Sequence, residues 1–84
     1  MKKVIKAMET VKKYILENDK KKKKLVAQID KFLDEQKHID VSDVKEMSLM
    51  DSLELVMDEI QEFNANLSDA LYTYMLEIDH RFDI

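Results

Sequence analysis

The residues best suited to chemistry are carboxylates gathered in one short stretch. Glu54, Asp58, Glu59 and Glu62 recur at intervals that a helix turns into neighbouring positions on one side. Carboxylates so placed can hold Mg²⁺ through oxygen ligands, or they can present a solvated acidic face. Just upstream, Ser52 stands between Asp51 and Leu53, a hydroxyl beside an acid where a helix begins. Lys20–Lys24 is an uninterrupted run of five lysines, a candidate for binding phosphate. His38 and His80 fall at opposite ends of any hairpin with no third ligand type beside either, so no metal site is expected. The chain has no Cys and no Gly, which removes thiolate chemistry, disulfides and glycine-rich phosphate loops. No Ser/His/Asp order and no His-Glu-x-x-His occurs.

Three short stretches are similar to known families. Glu59-x-x-Glu62 resembles the first carboxylate pair of the MazG-like nucleotide pyrophosphohydrolases, and Leu67-Ser68-Asp69-Ala70-Leu71-Tyr72-Thr73-Tyr74 resembles their second helix. That resemblance implies Mg²⁺-dependent hydrolysis by an all-α enzyme. Here Asn66 stands where the acid before Asp69 belongs, and three residues separate Glu62 from Asn66. Asp51-Ser52-Leu53 resembles the phosphopantetheine attachment site of acyl carrier proteins, which would make Ser52 the modified residue. No Gly precedes the motif, and the order of acidic and apolar residues after Leu53 departs from that family. Leu67-Ser68-Asp69 with Asp79-His80-Arg81 is similar to a stretch of the Hha/YmoA nucleoid modulators. The tripeptide also reads as a polar helix end, where His80 and Arg81 oppose the helix dipole.

The elements that must position these groups are helical. With neither Gly nor Pro and no Asn-Gly, the chain lacks the usual turn residues of strand-rich folds. Leu49, Leu53, Val56, Ile60, Phe63, Leu67, Ala70 and Tyr74 alternate steps of four and three, a heptad seam. A second column, Met50, Met57, Leu71 and Ile78, lies beside it. Together they form a face about three residues wide in every seven, the width of a bundle helix. The first half carries its own seam in Val4, Met8, Val11, Ile15, Leu25, Ile29 and Phe32, widened by Ile5, Val26 and Leu33.

The expected fold is therefore all-α: an antiparallel helical hairpin or a three-to-four-helix bundle, completed by dimerisation, in one domain spanning residues 1–84. One helix is expected over about 3–37, with a break near 18–20 as the alternative, because Asn18-Asp19 favours a turn while the seam keeps its phase across it. A loop follows over about 38–43. A second helix covers about 44–82, with a break near 64–66 as the alternative, where the stripe shifts to Leu67, Leu71, Tyr74 or Met75, Ile78 and Phe82. Asp40, Ser42 and Ser48 are candidate N-caps in the first case, Asn66 and Ser68 in the second. Asp83 and Ile84 are expected to fray.

Charge is split between the halves. Residues 1–39 hold 12 Lys against 6 acids and residues 40–84 hold Lys45 and Arg81 against 12 acids, giving the net -4. Folding a hairpin at residue 40 would set Lys20–Lys24 opposite residues 56–60, including Asp58 and Glu59. Each exposed pair is worth only ~0.2–1 kcal/mol, so the pattern chooses orientation more than it stabilises. A helical lysine run also points in all directions and carries no aromatic residue for base stacking, so direct nucleic-acid binding is not expected. No apolar run approaches membrane-spanning length, and the chain reads as cytoplasmic with no membrane partner.

These features point to a small non-catalytic protein that needs no cofactor and acts by protein–protein binding, as a regulator, adaptor or inhibitor. The expected partner-binding residues are Asp51, Leu55, Asp58, Glu62, Asp69, Tyr72 and Leu76, an acidic face with apolar inserts that suits a basic partner surface. Leu49, Leu53, Val56, Ile60, Phe63 and Leu67 are the expected self-association core of a homodimer.

Overall fold

In the computed structural model, which describes residues 1–82 apart from the side chain of Phe82, four helices follow one another: α1 (Lys2–Asn18), α2 (Lys23–Glu35), α3 (Leu49–Ile60) and α4 (Ala65–Phe82). Both long helices of the hairpin alternative are broken, so the fold is the four-helix form. The expected fraying of Asp83 and Ile84 lies outside the described residues.

The first break has a local cause. Residues 17–24 contain no apolar side chain, so a straight helix there would have nothing to bury. Asn18 turns its amide back onto the Tyr14 carbonyl. The Asp19 N–H closes on the Ile15 carbonyl at 2.7 Å, and the Lys22 N–H on the Asp19 carbonyl at 2.9 Å. The unbroken phase of the seam does not require one helix. Ile15 and Leu25 need only face the same core, and both are buried.

The connection between the second and third helices is longer than the expected loop, running from Gln36 to Ser48. The Asp40 carboxylate accepts from the Ser42 N–H at 3.0 Å, and the Val44 N–H bonds to the Val41 carbonyl. Ile39, Val41 and Met47 lean on the core as the segment passes. Residues 44–48 are not helical. The helix starts instead at Leu49, where the Ser48 hydroxyl accepts from the Asp51 N–H at 3.2 Å.

α3 ends at Ile60, four residues earlier than the weak point expected at Asn64. The cap of α4 is Asn64 rather than Asn66 or Ser68: its side-chain oxygen accepts from the Leu67 N–H at 3.2 Å. Asn64 alone of the three precedes the helix by the spacing a side-chain cap needs. Ser68 is buried and donates to the Met57 carbonyl at 3.2 Å, tying α4 to α3.

Two helical hairpins result. α1 and α2 are cross-tied by Lys12 and Asp30 at 2.5 Å, and α3 pairs with α4. The hairpins close on each other with α1 against α3 and α2 against α4. α2 and α4 run antiparallel, since Lys22 meets Glu77 at one end and Phe32 stacks on Phe63 at the other. The shared core is built from Val4, Ile5, Met8, Val11 and Ile15 of α1, Leu25, Ile29 and Phe32 of α2, Leu53, Val56 and Ile60 of α3, and Leu67, Leu71, Tyr74 and Ile78 of α4. Ala7 is wholly buried on α1, where its small side chain allows close packing. Among the described residues, no helix is long and apolar enough to cross a membrane.

Candidate functional site

The expected partner-binding residues fall on the outer sides of α3 and α4. On α3 the core takes Ser52, Leu53, Val56 and Ile60. By helical spacing Asp51, Glu54 and Asp58 then face away, and all three are exposed, with Leu55 half-buried beside them. Glu62 is exposed in the turn that follows. On α4 the core takes Leu67, Leu71, Tyr74 and Ile78, which sends Asp69, Tyr72 and Leu76 outward. Tyr72 is 52% and Leu76 49% exposed, one helical turn apart. The Ser68–Met57 bond sets the level of the two helices and brings Leu55 and Tyr72 to similar heights on neighbouring rods. The acids and apolar residues thus stand on two adjacent helices of one hairpin.

The residues expected to drive self-association are placed differently. Leu53, Val56, Ile60 and Leu67 are buried by the other helices of the same chain, and Leu49 is half-buried. Phe63 departs from the seam: the helix ends before it, and its ring is 57% exposed, lying over Phe32 with centroids 6.4 Å apart. A two-helix hairpin would leave its apolar face uncovered, but four helices cover one another.

Ser52 lies fully buried, and its hydroxyl has no hydrogen-bond partner among the described residues. The hydroxyl expected to carry the modification therefore faces the core rather than the surface. Among the described residues no three His, Asp or Glu side chains gather as a metal site would need. Glu59 and Glu62 are exposed and Asp69 lies beyond the turn on the next helix.

The lysine run does not meet Asp58 and Glu59. It occupies the turn between α1 and α2 and the first residues of α2, and Lys22 pairs with Glu77 at 2.8 Å. The register differs because the chain turns back near residue 20, so α2, not one long helix, lies beside the second half, antiparallel to α4.

The strongest polar cluster is one that sequence reasoning missed. Asp19 accepts two hydrogen bonds from Arg81, at 2.6 and 2.8 Å, and a third from the Tyr74 hydroxyl at 2.5 Å. The Arg81 guanidinium holds the Asp19 carboxyl below the usual carboxylate range, against the opposing effect of burial and with help from Tyr74. Burial first, and the Asp19 carboxylate next, push the Tyr74 phenol up. The Tyr14 ring meets Tyr74 edge-on with centroids 6.4 Å apart. Tyr74 carried an apolar label in the heptad pattern, and its hydroxyl was the one available signal. The cluster latches the end of α4 onto the α1–α2 turn.

Comparison with known protein families, with curated proteins and with solved structures gives no match.

Proposed function

We propose that this protein acts by non-catalytic protein binding, as a regulator, adaptor or inhibitor, through the outer sides of α3 and α4. The observation that carries this reading is the exposure of Tyr72 and Leu76, one turn apart on a helix whose other side is fully packed. An aromatic and an aliphatic side chain left in water side by side cost free energy that a partner surface recovers, and aromatic residues are enriched at binding hot spots. Asp51, Asp58, Glu62 and Asp69 are exposed on the same helical hairpin and give it negative charge. Charge of one sign favours a basic partner surface and speeds encounter with it. A homodimer remains part of this proposal only through exposed residues such as Phe63, Tyr72 and Leu76, because the seam residues of α3 are already packed within one chain.

The test places a photo-crosslinking residue at Asp79, exposed one turn beyond Leu76, and captures partners from the native host. Capture should be lost in the Tyr72→Ala, Leu76→Ala variant and slowed in the Asp58→Lys, Glu62→Lys variant. It should be unchanged in a Lys13→Ala control. Capture at the wild-type rate and yield in both surface variants removes the proposal.

A further inference from the structure

Five lysines that a continuous helix would spread around its axis are gathered here by the turn at Asp19–Lys22. Lys20 and Lys21 form the turn, and Lys22, Lys23 and Lys24 cap and open α2. Lys20, Lys21, Lys23 and Lys24 are exposed and, among the described residues, make no ion pair; Lys22 alone reaches an acid, Glu77. Like charges this close repel, and nothing described on their own chain relieves four of them. Beside them lies an open groove of about 680 Å³ between the start of α2 and the second half of α4, lined by Lys21, Lys23 and Lys24 on one side and Thr73, Tyr74 and Glu77 on the other. The helix start adds to the same potential. Lys22 offers α2 no side-chain cap, and the amides of Lys23, Lys24 and Leu25 have no backbone acceptor among the described residues. Free amides and the positive end of the helix dipole favour an anion there.

We propose that this groove binds a small polyphosphate anion, held by Lys21, Lys23 and Lys24. The class follows from what the groove offers. It supplies several ammonium groups within one short turn, which suits linked phosphates more than a single carboxylate. It offers no exposed aromatic ring, since Tyr74 is 2% exposed, so bases would have nothing to stack on. Glu77 occupies the opposite wall and competes with the anion for Lys22. This surface is separate from the outer side of α3 and α4, and the two proposals stand or fall independently.

The test is a titration of the whole ¹⁵N-labelled protein with tripolyphosphate at fixed ionic strength, followed by amide shifts. Saturable shifts are expected at residues 21–25 and 73–77. Lys23→Glu with Lys24→Glu should weaken binding by roughly tenfold or more, and Glu77→Gln should tighten it about three- to tenfold, as removing one nearby charge of the ligand's sign would. Lys23 and Lys24 are exposed and Glu77 is half-buried in its pair with Lys22, and an unchanged spectrum elsewhere verifies the fold of both variants. Shifts that never saturate, or that sulfate reproduces equally, overturn the proposal. So does tighter binding of a single-stranded oligonucleotide of matched charge, which would mark a nucleic-acid surface instead.

Discussion

Arg81 grips Asp19 with both arms of its guanidinium across 62 positions of sequence, at 2.6 and 2.8 Å. The Asp19 side chain is only 12% exposed, while Arg81 is 43% exposed. Two charge-assisted bonds in a fork geometry fix direction as well as distance. The last turns of α4 are thereby held against the reversal between α1 and α2, a point where neither helix has an apolar residue to bury. The latch does for this end of the bundle what Leu and Ile do for its middle.

The latch should make stability depend on pH. Asp19 titrates below the ordinary carboxylate range in the folded state. Its contribution is therefore full above about pH 4, the unfolded value, and is lost as pH falls through the lower folded value. Asp19→Asn should cost about 1–2 kcal/mol near neutral pH, at the low end for a charged bond because Arg81 is partly solvated. The urea-unfolding free energies of the two proteins should converge in acid. Asp40 is also held low, by the Ser42 N–H, but it is common to both proteins and cancels. Curves that stay parallel below pH 4 would show that Asp19 is not the group responsible.

Ser52 should be a stability defect. Its hydroxyl is buried without a partner among the described residues, and an unsatisfied buried polar group costs about 1–3 kcal/mol. Alanine removes the hydroxyl, leaves nearly the same shape and favours the helix slightly more. Ser52→Ala should therefore raise unfolding free energy by about 1 kcal/mol, read as a higher urea midpoint at unchanged slope. A lower midpoint would mean that the hydroxyl is satisfied in solution.

The helix caps divide into ones that sequence could show and one that it hid. Ser48 was legible because an acid follows at the third position and an apolar run begins at once. Asn64 was not, since Asn66 and Ser68 are equally good cap residues by type. The choice among the three depends on where Ile60 ends α3, and that is decided by packing. Ser48→Ala and Asn64→Ala should each cost about 1 kcal/mol, whereas Asn66→Ala, exposed within the first turn of α4, should be neutral within about 0.5 kcal/mol. Thermal unfolding of the three variants under one condition distinguishes them.

The apolar rhythm identified most core residues, because Val56, Ile60 and Leu71 differ from their neighbours in the one property that decides burial. It could not show that the chain is broken into four rods, with α2 and α3 pointing the same way. A three-four rhythm is indifferent to whether successive apolar residues lie on one rod or on two rods facing a shared centre. Phe63 fits the rhythm and yet lies outside it, because rhythm carries no information about where a helix stops. The outer-face residues were legible only as what the core pattern left over. The Asp19 latch joins residues whose separation no local pattern encodes.

The seam itself makes a graded prediction. Leu53→Ala and Ile60→Ala should each cost about 2–5 kcal/mol, the range for emptying a fully packed site. Phe63→Ala removes a larger side chain but should cost only about 0.5–1.5 kcal/mol, mainly its stacking on Phe32. A continuous heptad helix would give the reverse expectation for Phe63, placing it among the most costly positions. Chemical denaturation of the three variants separates the two arrangements.

The outer face of α4 gives the prediction that bears most directly on function. Tyr72 and Leu76 are about half exposed and neither belongs to the packed core. Replacing both with Ser should change unfolding free energy by no more than about 0.5 kcal/mol per site, as for surface positions without special contacts. The same double variant should lose partner capture, because two apolar anchors that meet a partner commonly account for several kcal/mol of binding. Asp58→Lys with Glu62→Lys should act differently. It should slow association and remove most of its salt dependence, because exposed charges govern encounter more than the lifetime of the complex. Stability and binding are then measured on the same proteins, by unfolding and by surface-immobilised capture at two salt concentrations. A Tyr72→Ser, Leu76→Ser protein that unfolds like wild type and still captures its partner would leave the outer face of α4 as ordinary solvated helix.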